Sequence, residues 1–212
     1  MYSKEIESYK STLKLTRKQR EILVGLMLGD GHLETQNCGR TYRLKLEYSV
    51  NNHEYCHHLY EVFRDWVLTP PKEKRKSSNG HLSSNIAFST VSHGAFRFYA
   101  QQFYRDGRKI VPSTMNKLLT PRGLAYWFMD DGSIKSSQSK GIILNTQGFD
   151  RREVGMLVDM LNIQFNLSAK ERRQKDGFQI YISGNSFEGL LLLIGKLIHP
   201  SMRYKLPPPR RT

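Results

Sequence analysis

Cysteine is scarce in this chain. Cys38 and Cys56 are the whole supply in 212 residues, too few for a disulfide scaffold or a Cys-based zinc site, and two reduced thiols are expected. Long apolar runs are also missing, since none approaches the roughly 18 residues of a membrane-crossing helix. The opening residues Met1-Tyr2-Ser3-Lys4-Glu5 have no signal-peptide core and do not read as an arginine-rich transit peptide. Acid is the third shortage: 19 Asp and Glu stand against 33 Lys and Arg, giving a formal charge of +14 and a pI near 9.8. That excess calls for a polyanion as partner, nucleic acid ahead of an anionic membrane surface. Charge alone does not choose between them, but the lack of a long basic amphipathic helix argues for no membrane partner.

What the chain does have is one plan used twice. Leu23-Val24-Gly25-Leu26-Met27-Leu28-Gly29-Asp30-Gly31 and Leu124-Ala125-Tyr126-Trp127-Phe128-Met129-Asp130-Asp131-Gly132 each run from a stretch apolar enough for a buried helix to a carboxylate and then a glycine. Each also carries helix-start chemistry. Thr16-Arg17-Lys18-Gln19 fits a capping box, and Thr120-Pro121 places an N-cap hydroxyl before a proline at the first helical position. The glycine closing each copy is the usual residue just past a helix. Asp30 and Asp131 therefore end apolar helices, where the macrodipole disfavours negative charge unless a cation compensates. If the halves fold alike and pack helix on helix, the two carboxylates meet at one end of the interface. Like charges so placed raise one pKa or recruit a divalent metal, and Mg²⁺ bound by carboxylates and substrate phosphate oxygens suits them.

The two stretches resemble the paired signature of the LAGLIDADG homing endonucleases, in their two-motif, monomeric form. Leu144-Asn145-Thr146-Gln147 and Met202-Arg203-Tyr204-Lys205-Leu206-Pro207 extend the likeness to members encoded in yeast mitochondrial introns. Tyr9-Lys10-Ser11 and Trp66-Val67-Leu68-Thr69-Pro70-Pro71 carry it into the first half. The resemblance implies an α+β fold: two pseudo-symmetric αββαββα units packed through paired motif helices, with antiparallel sheets forming a saddle along the DNA major groove. It also implies a staggered double-strand cut across the minor groove that leaves short 3′ overhangs, and Mg²⁺ as cofactor. An organellar compartment such as the mitochondrion rests on the likeness alone.

The order of elements can be followed along the chain. Residues 1–15 are polar and lysine-bearing, a loosely held lead-in; residues 16–115 and 116–212 are the expected subdomains. After the first motif helix, Arg17 to Gly29, strict alternation from Tyr42 to Val50 marks a half-buried strand, with Arg43, Lys45, Glu47 and Ser49 on the polar side. Helix spacing returns from His53 to Val67. A basic run, Lys72-Glu73-Lys74-Arg75-Lys76, then leads to the hairpin signal Asn79-Gly80, a strand from Leu82 to Thr90 and a helix from Gly94 to Tyr104. The second half repeats this. It has a strand at Ile142 to Thr146, a helix capped by Asp150-Arg151-Arg152-Glu153, a basic strand through Lys170-Glu171-Arg172-Arg173, an Asp176-Gly177 hairpin into Phe178 to Ile182, and a helix from Phe187 to Ile198. Sequence identity between the halves is slight; the order is kept.

Phosphodiester cleavage needs an activated water, charge compensation on phosphorus and help for the leaving 3′ oxygen, all of which metal ions between carboxylates supply. Asp30 and Asp131 fit, and the resemblance assigns the same positions. Gly29 and Asp130, one residue earlier, join the metal candidates, although Asp130 is expected to point elsewhere on its helix in a supporting part. Lys109 and Lys205 stand at matched places shortly before Pro112 and Pro207 and match the family's active-site lysines; each can position a water and neutralise phosphate charge. Glu47 and Gln147, taken to lie on strands after each motif, are candidates to hold water or metal. Arg43, Lys45, Lys74, Arg75, Lys76, Lys135, Lys140, Arg172, Arg173 and Lys175 are candidates to grip double-stranded DNA, lysines mostly on phosphates and some arginines on guanine edges. Two positions depart from the family pattern: Tyr126 replaces the glycine present as Gly25, and Leu28 and Met129 stand where an acid is usual.

Two rivals are open. His53-Glu54-Tyr55-Cys56-His57 matches the HExxH pattern of zinc proteases, but it starts at a helix start, has no evident third ligand and has no histidine counterpart at Arg151-Arg152-Glu153-Val154-Gly155. The other is a LAGLIDADG-fold splicing maturase bound to intron RNA, or a binder that does not cut. Paired carboxylates favour the nuclease, because a pure binder has no need of acid facing phosphate.

Overall fold

A computed structural model describes residues 4–78 and 81–208; the side chains of residues 76–78 and 81–83 and the expected Asn79-Gly80 tip lie outside the described residues. The chain divides into two compact units. One is made of residues up to Arg20 and Asp30–Gln101, the other of Glu21–Gly29 and residues from Gln102 onward. Most of the first motif helix thus groups with the second motif.

In the first unit, the polar lead-in forms helix α1 (Lys4–Thr12), which buries no residue and is held by Tyr9 Oη donating to Asp65 O at 2.7 Å. The capping box at Thr16 forms. Gln19 N donates to Thr16 Oγ1 at 3.2 Å and Thr16 N to Gln19 Oε1 at 2.9 Å, starting α2 (Arg17–Leu28). After β1 (His32–Glu34), the alternating stretch is β2 (Arg43–Ser49), with Leu44, Leu46 and Tyr48 buried and Arg43, Lys45 and Glu47 on the other face. Helix α3 (His53–Val62) covers the buried face with Tyr55, Cys56, Leu59 and Tyr60, and Tyr55 meets Tyr48 edge to face at 5.2 Å. It stops earlier than the helix spacing predicts, because a separate 3₁₀ turn, Arg64–Trp66, drives Trp66 inward against Phe96. Strands β3 (Lys72–Ser78) and β4 (His81–Ser89) and helix α4 (Arg97–Phe103) follow. The sheet runs β1-β2-β4-β3, antiparallel throughout.

The second unit begins with a hairpin, β5 (Tyr104–Arg105) and β6 (Arg108–Lys109), then a single helical turn α5 (Met115–Leu118). Helix α6 (Pro121–Asp131) starts as its sequence predicts, with Gly123 N donating to Thr120 Oγ1. Strands β7 (Gly132–Ser136) and β8 (Ser139–Leu144), helix α7 (Arg151–Phe165), strands β9 (Ala169–Gln174) and β10 (Gly177–Ile182) and helix α8 (Phe187–Ile194) complete the repeat. The sheet order is β7-β8-β10-β9, the same as in the first unit. Ile142, Leu144, Ile180 and Ile182 form its buried face, with Val154, Leu157 and Leu161 of α7 among the core. The α-β-β-α-β-β-α order therefore holds twice, and the fold is α+β.

Candidate active site

Within the second unit, the α2 and α6 backbones approach at two glycines. A methyl group on Gly25 would lie 2.2 Å from Gly123 O, and one on Gly123 would lie 3.1 Å from Glu21 O. Gly25 therefore meets a glycine one residue before the second motif begins. Tyr126, which stands at the matching motif position, packs its Cβ beside that contact and is buried, which pushes its phenol up to about 12 against the opposing pull of Arg122. Arg122 pairs with Glu21 across the two helices.

The C-terminal ends of these helices carry the candidate chemistry. Lys109 Nζ donates to Gly29 O at 2.6 Å; Lys205 Nζ donates to Asp130 O at 2.6 Å and to Met129 O at 2.5 Å. Gly29 precedes Asp30 and Asp130 precedes Asp131, so each ammonium sits on the carbonyl just before a motif aspartate. Terminal helix carbonyls carry the negative end of the macrodipole, and these lysines are the cations that compensate it. A charge-assisted hydrogen bond of this kind contributes about 1.5–3 kcal/mol. Asp131 is the last residue of its helix and half-buried, while Asp30 is exposed.

Asp130 lies against Gly29 of the other motif helix: a methyl group on Gly29 would lie 2.5 Å from Asp130 Oδ2, so glycine at 29 makes room for that carboxylate. Gly132 stands just past α6, where its sequence predicts a helix-ending glycine. Its backbone is extended, at φ −73° and ψ 146°, and glycine is required because a methyl group would meet Phe128 O at 2.4 Å. Gln147, expected on a strand, is not on one, because β8 stops at Leu144; it lies in the turn after it, where a methyl group on Gly177 would lie 3.1 Å from its carbonyl oxygen. Glu47 does lie on β2, accepting from Asn85 Nδ2 at 2.8 Å.

The two lysines are carried differently. Lys109 ends a hairpin whose turn residues, Asp106 at φ 51° and Gly107 at φ 76°, give the left-handed pair of a type I′ turn. Asp106-Gly107 is the same turn signal as Asp176-Gly177, but the arms it joins are only two residues long and show no alternation to mark them as strands. Lys205 ends a 3₁₀ helix, Pro200–Lys205, anchored by buried Met202 and preceded by His199, whose N–H points at Met129 Sδ at 3.2 Å.

Strand alternation sorts the basic candidates. In the first sheet, Arg43, Lys45 and Lys74 share the face away from α3, and they line a concavity of about 430 Å³ with Lys10 and Lys72. Lys72 was missed, although period-two counting from Lys74 finds it. Arg75 pairs with Ser84 and sits on the opposite face, and Arg43 is held by Glu34 at 2.5 Å. Lys76 follows Lys74 in register, but its side chain is outside the described residues. In the second sheet, Lys135 lies over the Tyr181 ring at 5.1 Å, with Arg172 beside it. Lys170, also missed, joins them over the same ring. Lys140 is on the helix side, paired with Glu188 at 2.6 Å and stacked over Phe187; Arg173 pairs in register with Phe178, on that same side, and Lys175 is exposed in the turn.

The HExxH stretch opens α3 with His53 and His57 both exposed. Among the described residues no group of three or more His, Cys, Asp or Glu could hold a metal ion. Cys38 is exposed and Cys56 is buried, and burial pushes the Cys56 thiol up to about 12.

Residues 20–190 match the family described as the LAGLIDADG DNA endonuclease family. The chain is 35% identical over 211 residues to the probable intron-encoded endonuclease 1 of Wickerhamomyces canadensis, covering 96% of this chain and 90% of that one. It is 29% identical over 198 residues to the cytochrome b mRNA maturase bI2 of Debaryomyces hansenii, covering 91% and 74%. Among solved structures, the homing endonuclease I-WcaI bound to its DNA recognition sequence superposes with a TM-score of 0.92 at 33% identity, covering 96% and 92%.

Proposed function

The chain belongs to the LAGLIDADG DNA endonuclease family, and on that footing we propose that it is a monomeric homing endonuclease that cuts both strands of a long, non-palindromic double-stranded DNA site. One observation carries the chemistry: a lysine ammonium rests on the carbonyl immediately before each motif aspartate, Lys109 at Gly29 O and Lys205 at Asp130 O. Asp30 and Asp131 are assigned as carboxylate ligands for divalent metal, with Mg²⁺ as the proposed ion. The donors fit a hard cation, since the Asp30 and Asp131 carboxylates and the Gly29 and Asp130 carbonyls that precede them are all oxygen. When bound, such an ion supplies an activated water and charge compensation at the phosphate and the leaving 3′ oxygen. Lys109 and Lys205 orient a water and neutralise developing phosphate charge from fixed positions. The basic open faces, Lys45 and Lys74 in one sheet and Lys135, Lys170 and Arg172 in the other, grip backbone phosphates, so log K falls by about 0.9 per phosphate neutralised for each unit of log salt.

The maturase relative supports a second reading, in which the same basic faces bind intron RNA. Both are tested by challenging a randomised double-stranded DNA library with the purified protein and Mg²⁺ and sequencing the cut ends. The endonuclease reading predicts one long asymmetric site with a short 3′ stagger. Uncut DNA, with tight selection of a structured RNA in a parallel experiment, favours the maturase.

A further inference from the structure

Glu153 has more to do than cap its helix. In a capping box the residue three positions in needs only to accept from the N-cap N–H, and Glu153 Oε2 does so from Asp150 N at 2.8 Å. Yet the side chain is nearly buried, and its remaining acceptor capacity goes elsewhere. Oε1 accepts from Val111 N at 3.1 Å, and Oε2 accepts from Arg108 Nη2 at 3.2 Å. These two donors flank Lys109, one by side chain before it and one by backbone after it. Across the hairpin Arg108 faces Arg105, a like-charge pair that opposes the turn unless an acid compensates. Asp150 Oδ2, 3.9 Å from Arg108 Nη2, adds to that compensation.

The structure assigns Glu153 as a positioning residue for Lys109: it clamps residues 108–111 against the N-terminus of α7 and so fixes the ammonium at Gly29 O. This rests on the endonuclease reading. Lys205 is held by another device, the 3₁₀ helix of residues 200–205, which Glu153 does not touch in any hydrogen bond described above. Helix α3, the counterpart of α7 in the other half, carries the buried Tyr55 at the same position and has no carboxylate there to offer. The clamp is therefore one-sided. With one lysine per motif and two strands to cut, loosening Lys109 alone unbalances the two strand cuts.

The experiment uses the full chain with Mg²⁺ on a supercoiled plasmid carrying the selected site, plus a duplex labelled separately on each strand. Glu153→Gln keeps the side chain's shape and an oxygen acceptor while removing the charge, and thermal unfolding is recorded beside the kinetics. The expected result is accumulation of nicked circles, one strand slowed by at least about tenfold and the other by less than about twofold, with the loss absent when Lys109→Met is already in place. Equal slowing of both strands, or a full Glu153→Gln effect in the Lys109→Met background, overturns the assignment and leaves the endonuclease reading standing. A wild-type protein that leaves the plasmid uncut overturns that reading and the assignment with it.

Discussion

Lys74 and Arg75 are neighbours in sequence and opposites in the sheet, and this decides what each can do. Lys74 lies in register with Asn85 on the open face; Arg75 faces Ser84 on the other side. Lys72→Ala and Lys74→Ala are each expected to weaken DNA binding and to reduce the salt slope by about one, whereas Arg75→Ala leaves affinity within about twofold. Fluorescence anisotropy across a salt series measures this, and equal losses for Lys74→Ala and Arg75→Ala would contradict the face assignment. At His93 the prediction concerns pH. Its Nδ1 accepts from Ala95 N at 3.0 Å, so the ring caps a 3₁₀ turn only while that nitrogen is unprotonated. Burial lowers its pKa, and the Lys10 ammonium lowers it further, against smaller opposite pulls from a hydrogen bond to the Lys10 backbone and from Glu7. An unfolded histidine binds a proton near pH 6.5, so below that value the unfolded chain takes up protons that the folded chain resists. Stability from this residue is complete above about pH 6.5 and is lost as pH falls from there through the lowered folded value. Thermal melts at pH 7, 6 and 5 should show the midpoint falling, and His93→Asn should flatten part of that fall.

Elements were legible where periodicity is long and hidden where it is short. The capping boxes at Thr16 and Asp150, the Thr120-Pro121 start and the alternation through Leu44, Leu46 and Tyr48 all appear in the structure as written in the sequence. Three-residue β1 gives no period to count, and the Asp106-Gly107 hairpin has arms of two residues each, too short to show alternation. Glycine was the least transparent residue. Gly25, Gly29 and Gly132 are required by neighbouring atoms that no sequence pattern displays, and none has a left-handed backbone. Gly25→Ala forces a methyl group into Gly123 O, and chemical denaturation should show a loss of about 3 kcal/mol. Gly189→Ala is the contrast. It lies exposed in α8 with nothing within 4 Å of a new methyl group, so a gain of about 0.5–1 kcal/mol is expected. Destabilisation by both variants to the same extent would remove the packing argument.

At the scale of the whole molecule, the formal charge of +14 named the partner class, and the duplicated motif named the chemistry. Neither could say how the lysines are held. That information lies in pairs distant in sequence, Lys109 with Gly29 and Lys205 with Asp130, which only the folded chain brings together. It also lies in Glu153, whose sequence context advertises a helix cap and nothing more. The central claim is that the motif aspartates serve hydrolysis and not DNA affinity. Asp131→Asn tests it most directly, with binding and strand-resolved cleavage measured on one DNA site in Mg²⁺. The account predicts affinity within about twofold of wild type or tighter, and no cutting of either strand; cleavage at the wild-type rate would contradict it.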